Sequence, residues 1–386
     1  MRIAFCSDTY LPEINGVTTV VSTMRDGLLA RGHDVLVLAP RYAAGGGDPD
    51  GVVRRGAVPC PGYGAVRLSS PFGGDVRRTL DRFAPDLVHL VTEGPIGLIA
   101  RRWAIRRQIA LVSSFHTDFP RYAQRYLGAW AVGPTRRYLR WFHRAARITQ
   151  TPSDTTRDEL HALGIPGAVS WGRGVDTERF SPRRRDPARR AALGADERTP
   201  LVLHVSRLAV EKDVETLVAS FRLAQARLGA RVRFAVAGDG PRAAWVRAEL
   251  PFATHYGFLD RDVLADLYAD ADMFVFPSPT ETCGLVVLEA MASGLPVLAA
   301  NAGGVVEHLR EGINGHLLPA GDAAAFAARL EALVEDTPHR IGLSAGALAF
   351  ASDRSWAREM DRLEPMYRDA VATTLSRPVR EEPALA

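Results

Sequence analysis

Two α/β domains in tandem, each built on a parallel sheet, are predicted by three observations. Short apolar runs rich in Val, Leu and Ile alternate with amphipathic stretches along the whole chain. Those runs are continuously apolar rather than alternating, as expected of strands buried on both faces of a parallel sheet. The alternation breaks once, near residue 181, and then restarts; at 386 residues the chain exceeds what one hydrophobic core holds.

Taken in order, RIAFCS at 2–7 is the first strand, followed by a loop ending in Asn15-Gly16. Val17, Val20, Val21, Met24 and Leu28 recur at helical spacing and predict a helix over 17–31, which Gly32 stops. Strands follow at 34–39, 86–91 and 109–115, with helices between. The proline-flanked charge run SPRRRDP reads as a linker. Beyond it come a strand at 200–206, a helix at 213–229, and strands at 231–238, 272–276 and 296–300. A last helix over 356–372 carries Trp356, Met360, Leu363 and Tyr367 on one apolar face. The tail beyond about 374 is expected to be poorly ordered. The resulting division is 1–182, 183–355 and a terminal segment 356–386. Open α/β sheets bind ligands beyond the C-terminal ends of their strands, so a cleft between two such sheets is the expected site.

Composition narrows the class. Hydrophobic residues at 47% and charged residues at 24% suit a soluble globular protein, and no apolar run approaches the ~20 residues of a membrane span. The N-terminus lacks the basic and then apolar pattern of a signal peptide. Cys6, Cys60 and Cys283 are odd in number and far apart, which argues against a disulfide framework or a metal knuckle and for a cytoplasmic location. Residues 1–185 hold 27 arginines against 16 acidic residues, whereas the remainder holds 21 basic against 28 acidic. The first half is therefore expected to meet something anionic. Of 48 basic residues 47 are arginine, and Lys212 is the sole lysine.

The chemistry concentrates in two stretches of the second half. In TETCGLVVLEAMASG, Glu281 stands on the entry loop of a helix and Glu289 about two turns further on. The peptide N–H groups of Cys283, Gly284, Leu285 and Val286 fall where a helix N-terminus can meet an anion. One carboxylate can accept hydrogen bonds from sugar hydroxyls and the other can hold a ribose diol; a capping glutamate plus a solvated one is the plainer alternative. In HVSRLAVEKD, directly after the strand at 200–206, Arg207 and Lys212 are spaced to clamp a diphosphate. Asp270-Ala-Asp272 matches the metal-binding Asp-x-Asp pattern but precedes its strand instead of following it, so no metal site is assigned.

The Glu-x7-Glu motif, the Arg207/Lys212 loop and the first-strand loop ending in Gly16 together resemble the retaining glycosyltransferases of family 4, over essentially the whole chain. FHTDF at 115–119 and WGRGVDTERFSP at 171–182 are similar to segments of its bacterial GDP-mannose-dependent α-mannosyltransferases and lipid glycosyltransferases. Where the family usually reads Glu-x-Phe-Gly, this chain has Cys283. The resemblance implies a GT-B fold, two Rossmann-like domains facing a cleft, with the last helix crossing back to the first domain. It implies that Gly16 lets the first loop approach the phosphates and that His116 faces the sugar. It further implies that Arg207 and Lys212 stabilise the departing diphosphate, Glu281 holds the donor sugar and Glu289 the ribose. The implied reaction is front-face transfer of a hexose, mannose from GDP-mannose or else a sugar from a UDP donor, to a lipid or glycan acceptor, with no metal or other cofactor required.

Between 119 and 147, Tyr122, Tyr126 and Trp130 recur every four residues, and Tyr138, Trp141 and Phe142 stand among Arg136, Arg137, Arg140 and Arg144. Such a segment could rest on an anionic membrane or be two core-facing helices with solvated arginine faces; Arg77 and Arg78 add to the first reading. No recognised nucleic-acid motif accompanies the charge, so nucleic acid is not an expected partner. A sugar-nucleotide epimerase and a non-catalytic sugar-nucleotide-binding protein are the competing classes. A dehydrogenase is disfavoured because SDTYLPEING stands where a Gly-x-Gly-x-x-Gly would be needed.

Overall fold

The structure, a computed structural model, describes residues 1–13, 15–42, 48–60, 63–69, 73–171, 174–281 and 283–375. The chain forms two compact units, Met1–Gly172 with Ala357–Ala386, and Arg173–Trp356.

The first unit holds the parallel strands β1 (Arg2–Cys6), β2 (Asp34–Pro40) and β3 (Val52–Arg55), and an antiparallel hairpin of β4 (Ala57–Cys60) and β5 (Tyr63–Ser69). Four more parallel strands follow, β6 (Leu87–Leu90), β7 (Ala110–Ser114), β8 (Ile148–Thr151) and β9 (Ala168–Ser170). The seven-stranded sheet runs β3-β2-β1-β6-β7-β8-β9, so the chain reverses direction between β1 and β6. Its helices are α1 (Gly16–Ala30), α2 (Gly74–Phe83), α3 (Pro95–Arg107), α4 (Phe119–Leu127), α5 (Val132–His143) and α6 (Asp154–Ala162). Asn15 and Thr18 close a reciprocal capping box that starts α1, and Val20, Val21, Met24 and Leu28 form its buried stripe. Ala4, Cys6, Leu36, Leu38, Val88 and Leu90 project to one face of the sheet, where α2, α3 and α5 cover them with Val76, Leu80, Ile96, Trp103 and Phe142.

The second unit has a six-stranded parallel sheet of β10 (Leu201–Val205), β11 (Arg233–Ala237), β12 (Thr254–Gly257), β13 (Met273–Phe276), β14 (Val297–Ala300) and β15 (Gly315–Leu318). Its order is β12-β11-β10-β13-β14-β15, with the reversal between β10 and β13. Around it lie α7 (Pro187–Ala192), α8 (Val214–Leu228), α9 (Ala243–Glu249), α10 (Arg261–Asp270), α11 (Leu285–Ala292), α12 (Ala323–Glu335) and α13 (Thr337–Ser352). Apolar residues fill both faces of its strands, which is why they read as unbroken runs.

The SPRRRDP run is not a free linker. Arg184 pairs with Asp266 at 2.7 Å, Arg185 with Asp272 at 2.6 Å, Arg189 with Asp270 at 2.6 Å and Arg190 with Asp272 at 2.9 Å. These partners lie some eighty residues away in sequence, so the run and the start of α7 are tied to α10 and to Asp272 just after it. The same pairs give Asp270 and Asp272 a structural occupation.

The last helix, α14 (Trp356–Leu375), brings Met360, Leu363, Tyr367 and Ala370 into the interior of the first unit. Tyr367 Oη lies 2.5 Å from His89 Nδ1, and His89 Nε2 lies 2.7 Å from Ser114 Oγ. Complete burial pushes His89 down to about 3, so the ring is neutral, one nitrogen donating and the other accepting. Arg31 pairs with Asp361 at 2.7 Å. Trp356, expected on the same face, is half-buried and belongs to the second unit. Residues 374 and 375 are still helical, and the rest of the tail lies outside the described residues.

Candidate active site

In the second unit, the two loops that leave the sheet at its reversal point carry the expected cations and the first glutamate. β10 ends at Val205 and leads through Arg207 into a tight turn, Val210–Lys212, before Asp213 caps α8. β13 ends at Phe276 and leads through Glu281 to α11. Neighbouring parallel strands with opposite winding directions deliver these loops side by side above one edge. Thr280 Oγ1 donates to Glu211 O at 2.8 Å, joining the loops, and Lys212 Nζ donates to Glu281 Oε1. Both side chains are less than one-fifth exposed.

Arg207 does not join that pair. Its guanidinium lies 3.6 Å from Glu211, a buried carboxylate that sequence reading passed over, while the arginine itself is 39% exposed. The arginine is thus aimed by Glu211 and open to solvent, as an anion-facing group must be.

Gly284 takes the left-handed conformation (φ +77°) that lets the chain turn from the loop into α11. Val287 N–H donates to Gly284 O at 2.9 Å as the first bond of the helix, so the N–H groups of Leu285 and Val286 precede that bond. Cys283 is buried rather than presented. Its carbonyl accepts from His308 Nε2 at 2.7 Å, with Sγ 3.7 Å from the same nitrogen. Glycine is also required at 303 (φ +64°), because a Cβ there would lie 2.4 Å from Glu281 O. Gly304 N–H donates to that same oxygen at 2.8 Å. The Glu281 loop is therefore fixed from three sides, by Lys212, by Thr280 and by the Gly303-Gly304 turn after β14.

Glu289 stands apart from Glu281, inside α11 and nearly buried. Arg261 lies 3.4 Å from its carboxylate, and Tyr268, whose hydroxyl donates to Val286 O at 3.2 Å, stands beside it. Burial pushes this carboxyl up to about 7 and Asp176 adds to the rise, against the pull of Arg261 and Tyr268. Arg261 and Tyr268 were not legible as site residues, since both read as ordinary helix positions. Beneath the loops, His204 on β10 donates from Nδ1 to Val275 O at 2.8 Å and holds Ser206 Oγ at 2.7 Å. Burial, reinforced by the charge of Lys212, brings it down to about 4.

The remaining two expected residues belong to the first unit. Gly16 is exposed at the start of α1, just after β1, and His116 is half-buried two residues beyond β7. Both lie at the C-terminal edge of their sheet. Below that edge is a buried polar group absent from the sequence reading. Glu93 Oε1 is 3.1 Å from His143 Nε2, and His143 Nδ1 is 2.9 Å from Ser113 Oγ. Asp8, whose carboxyl burial pushes up to about 6, accepts from Ile96 N–H at 3.1 Å.

The chain is similar to known proteins over both units. The family described as Glycosyltransferase Family 4 matches residues 14–179, and that described as Glycosyl transferases group 1 matches residues 199–336. A GDP-mannose-dependent alpha-mannosyltransferase of Corynebacterium glutamicum is 32% identical over 96% of this chain and 90% of its own. Its namesake in Mycobacterium tuberculosis is 34% identical over 95% and 96%. A sulfoquinovosyl transferase of Arabidopsis thaliana is 38% identical over 75% of this chain and 58% of its own. Among solved structures, the sucrose-phosphate synthase of Thermosynechococcus elongatus superposes with a TM-score of 0.78 at 20% identity, covering 96% of this chain and 99% of that one. Anabaena HepE in complex with UDP-glucose gives 0.73 at 20% identity over 97% and 99%. With two parallel-sheet units of the GT-B type and near-complete alignment to the mannosyltransferases, the chain belongs to glycosyltransferase family 4 and is an enzyme that uses a nucleotide sugar.

Proposed function

We propose that this glycosyltransferase moves mannose from GDP-mannose to a lipid or glycan acceptor with retention of configuration. The observation that carries the donor assignment is the alignment, over nearly the whole chain, with relatives named as GDP-mannose-dependent. The Lys212–Glu281 pair supports the roles. An ammonium and a carboxylate that neutralise each other at the reversal point can be separated by one ligand, whose diphosphate draws Lys212 and whose sugar hydroxyls donate to Glu281. Arg207, aimed by Glu211, adds the second cation, and the N–H groups at the start of α11 add donors to the leaving phosphate. Glu289 takes the ribose, His116 the sugar from the first unit, and Gly16 gives the first loop close approach.

In this scheme the acceptor hydroxyl attacks on the face the diphosphate leaves, and the departing phosphate receives its proton. Positioning and fixed charge supply the catalysis, and neither metal nor cofactor takes part. The enzyme acts in the cytoplasm, consistent with its buried Cys6 and Cys283, at the inner face of the membrane, and nucleic acid is not a partner. Among the described residues no helix is long and apolar enough to cross a membrane. The Arabidopsis sulfoquinovosyl transferase favours one second reading, a different hexosyl donor in the same site.

A thermal-shift panel of GDP, UDP and ADP decides between them. A ligand that binds only the native state raises its melting temperature by mass action, so GDP is expected to give the largest shift. A larger shift with UDP would move the assignment to the second reading.

A further inference from the structure

We propose that His316 and His339, with Glu311 behind them, form a zinc site that staples the edge strand β15 to α13 in the second unit. His316 is buried on β15, and His339 stands half-buried in the first turn of α13. Their Nε2 atoms face each other at 3.4 Å. The other ring nitrogen of His316, Nδ1, lies 2.6 Å from Glu311 Oε1, while Glu311 Oε2 accepts from Leu317 N–H at 2.9 Å. An ionised carboxylate only accepts, so the proton of the neutral His316 ring is held on Nδ1 and its Nε2 presents a lone pair. A carboxylate behind a histidine, with the far nitrogen left open, is the arrangement that orients an imidazole for a metal. On the other side, Asp336 caps α13 and accepts from His339 N–H at 2.9 Å, which holds that residue's backbone in place.

The separation selects the ion. Two Zn–N bonds of ~2.0–2.1 Å meeting at a tetrahedral angle hold their nitrogens about 3.3–3.4 Å apart, whereas the right angle of square-planar or octahedral coordination brings them to about 2.9 Å. The observed 3.4 Å fits the tetrahedral ion. As a hydrogen bond between two rings, the same distance is beyond the usual range. The ring centroids are 5.6 Å apart, and a modest turn of either ring, soft about its terminal torsion, brings both lone pairs to one point. Imidazole suits zinc, whereas magnesium and calcium prefer oxygen ligands. Among the described residues no three His, Cys, Asp or Glu side chains gather as a metal cage, so water completes the sphere, entering past the half-buried His339. The start of a helix is an unfavourable place for a cation. Asp336 and Glu311 offset that, and Arg340 turns its guanidinium to Leu333 O at 2.6 Å and Thr337 Oγ1 at 3.2 Å. β15 is the last strand of its sheet, and the two histidines are 23 residues apart with α12 between them. A metal there closes that loop, which is how such clips stabilise a fold. His316 pairs with Leu298 near the beginning of β14, so the site lies toward the N-terminal edge of the sheet, away from the loops that carry Lys212 and Glu281. It takes no part in sugar transfer and does not rest on the proposed donor or acceptor.

Calorimetric titration and scanning calorimetry of the full chain, freed of any affinity tag and treated with chelator, test the site with zinc chloride alone. Zinc is expected to bind and, at a hundred times its dissociation constant, to raise the melting temperature of the second unit by roughly 5–10 °C, reversibly on adding EDTA. Magnesium should do neither. Cobalt(II) in place of zinc should show the strong visible absorption of a tetrahedral ion. Glu311→Gln should weaken zinc binding by roughly 10–100-fold, the usual cost of losing the carboxylate behind a ligating histidine, and His339→Ala should remove it. His316→Ala should remove it as well, but it opens a cavity at a buried position. Where that variant fails to fold, His339→Ala, at a half-buried position, carries the test, with circular dichroism in the absence of metal reporting the fold of each. No zinc-induced shift in the wild type, or a shift of equal size in folded His339→Ala, overturns the proposal and leaves the two rings as a hydrogen-bonded pair. Wild-type zinc affinity in Glu311→Gln would overturn the part given to the carboxylate.

Discussion

Glu289 offers the sharpest test of the donor site, because its burial ties stability and ligand binding to the same proton. An ordinary glutamate titrates near 4.5, and this one is pushed up to about 7. Between those values the unfolded chain has released the proton while the folded chain still holds it, so stability falls as pH rises through the window. The loss is fully developed above about 7 and amounts to about 3 kcal/mol. Glu289→Gln keeps the shape but cannot ionise. Relative to the variant, the wild type should therefore be destabilised progressively from pH 4.5 to 7 and by a constant amount above it. For a unit of this size that difference corresponds to roughly 6–12 °C in melting temperature. A ribose diol donates to the ionised carboxylate, so the GDP-induced shift of the wild type should grow between pH 5.5 and 8 relative to that of the variant. The nucleotide's own titration cancels in that comparison. Scanning calorimetry of both proteins, with and without GDP across this range, gives all four curves. Parallel melting curves for the two proteins would refute the buried, proton-holding Glu289, and a GDP shift with the same pH profile in both would remove Glu289 from the ribose.

Three further outcomes follow from the second unit's loops. Lys212→Ala should lower turnover by roughly 10²–10³-fold, the scale for losing one preorganised charge-stabilising donor, and Lys212→Arg should recover little of it, because a planar fork cannot replace a compact ammonium seated against Glu281; near-wild-type kcat for the arginine variant would refute this. Glu281→Gln should reduce transfer more than it reduces GDP binding, since GDP lacks the sugar, and comparable losses in steady-state kinetics and calorimetric titration would place Glu281 elsewhere. Gly303→Ala should lower kcat at least tenfold, on the order expected when a site is misplaced by about 1 Å, with the protein still folded by circular dichroism, because the new Cβ must displace Glu281 O; unchanged kinetics would show that the loop position is not critical.

The α/β class, the two sheets and the loops that matter were legible because each depends on local pattern. A strand buried on both faces must be apolar at every position, and α1 declares itself by the spacing of Val20, Val21, Met24 and Leu28 and by Asn15 before it. Lys212 stood out for a reason of composition, as the one lysine among 48 basic residues. Several short strands, β3 and β9 among them, carry too few residues to form a pattern and became visible only through their neighbours.

What the sequence alone determined, then, was everything set by the periodicity of the chain against its own backbone, together with the residue types that can hold a phosphate or a sugar. Tertiary structure decided the partners. It gave Arg207 to Glu211 and Lys212 to Glu281, tied Arg184 and Arg185 of SPRRRDP to aspartates some eighty residues away, and brought Arg261 and Tyr268 to Glu289. It also turned the aromatic residues of α5 inward and its arginines outward. The physical reason is the range of the forces involved: backbone hydrogen bonding and burial repeat every two or 3.6 residues along the chain, whereas an ion pair or a shifted proton depends on distance in space, which only the packed fold sets.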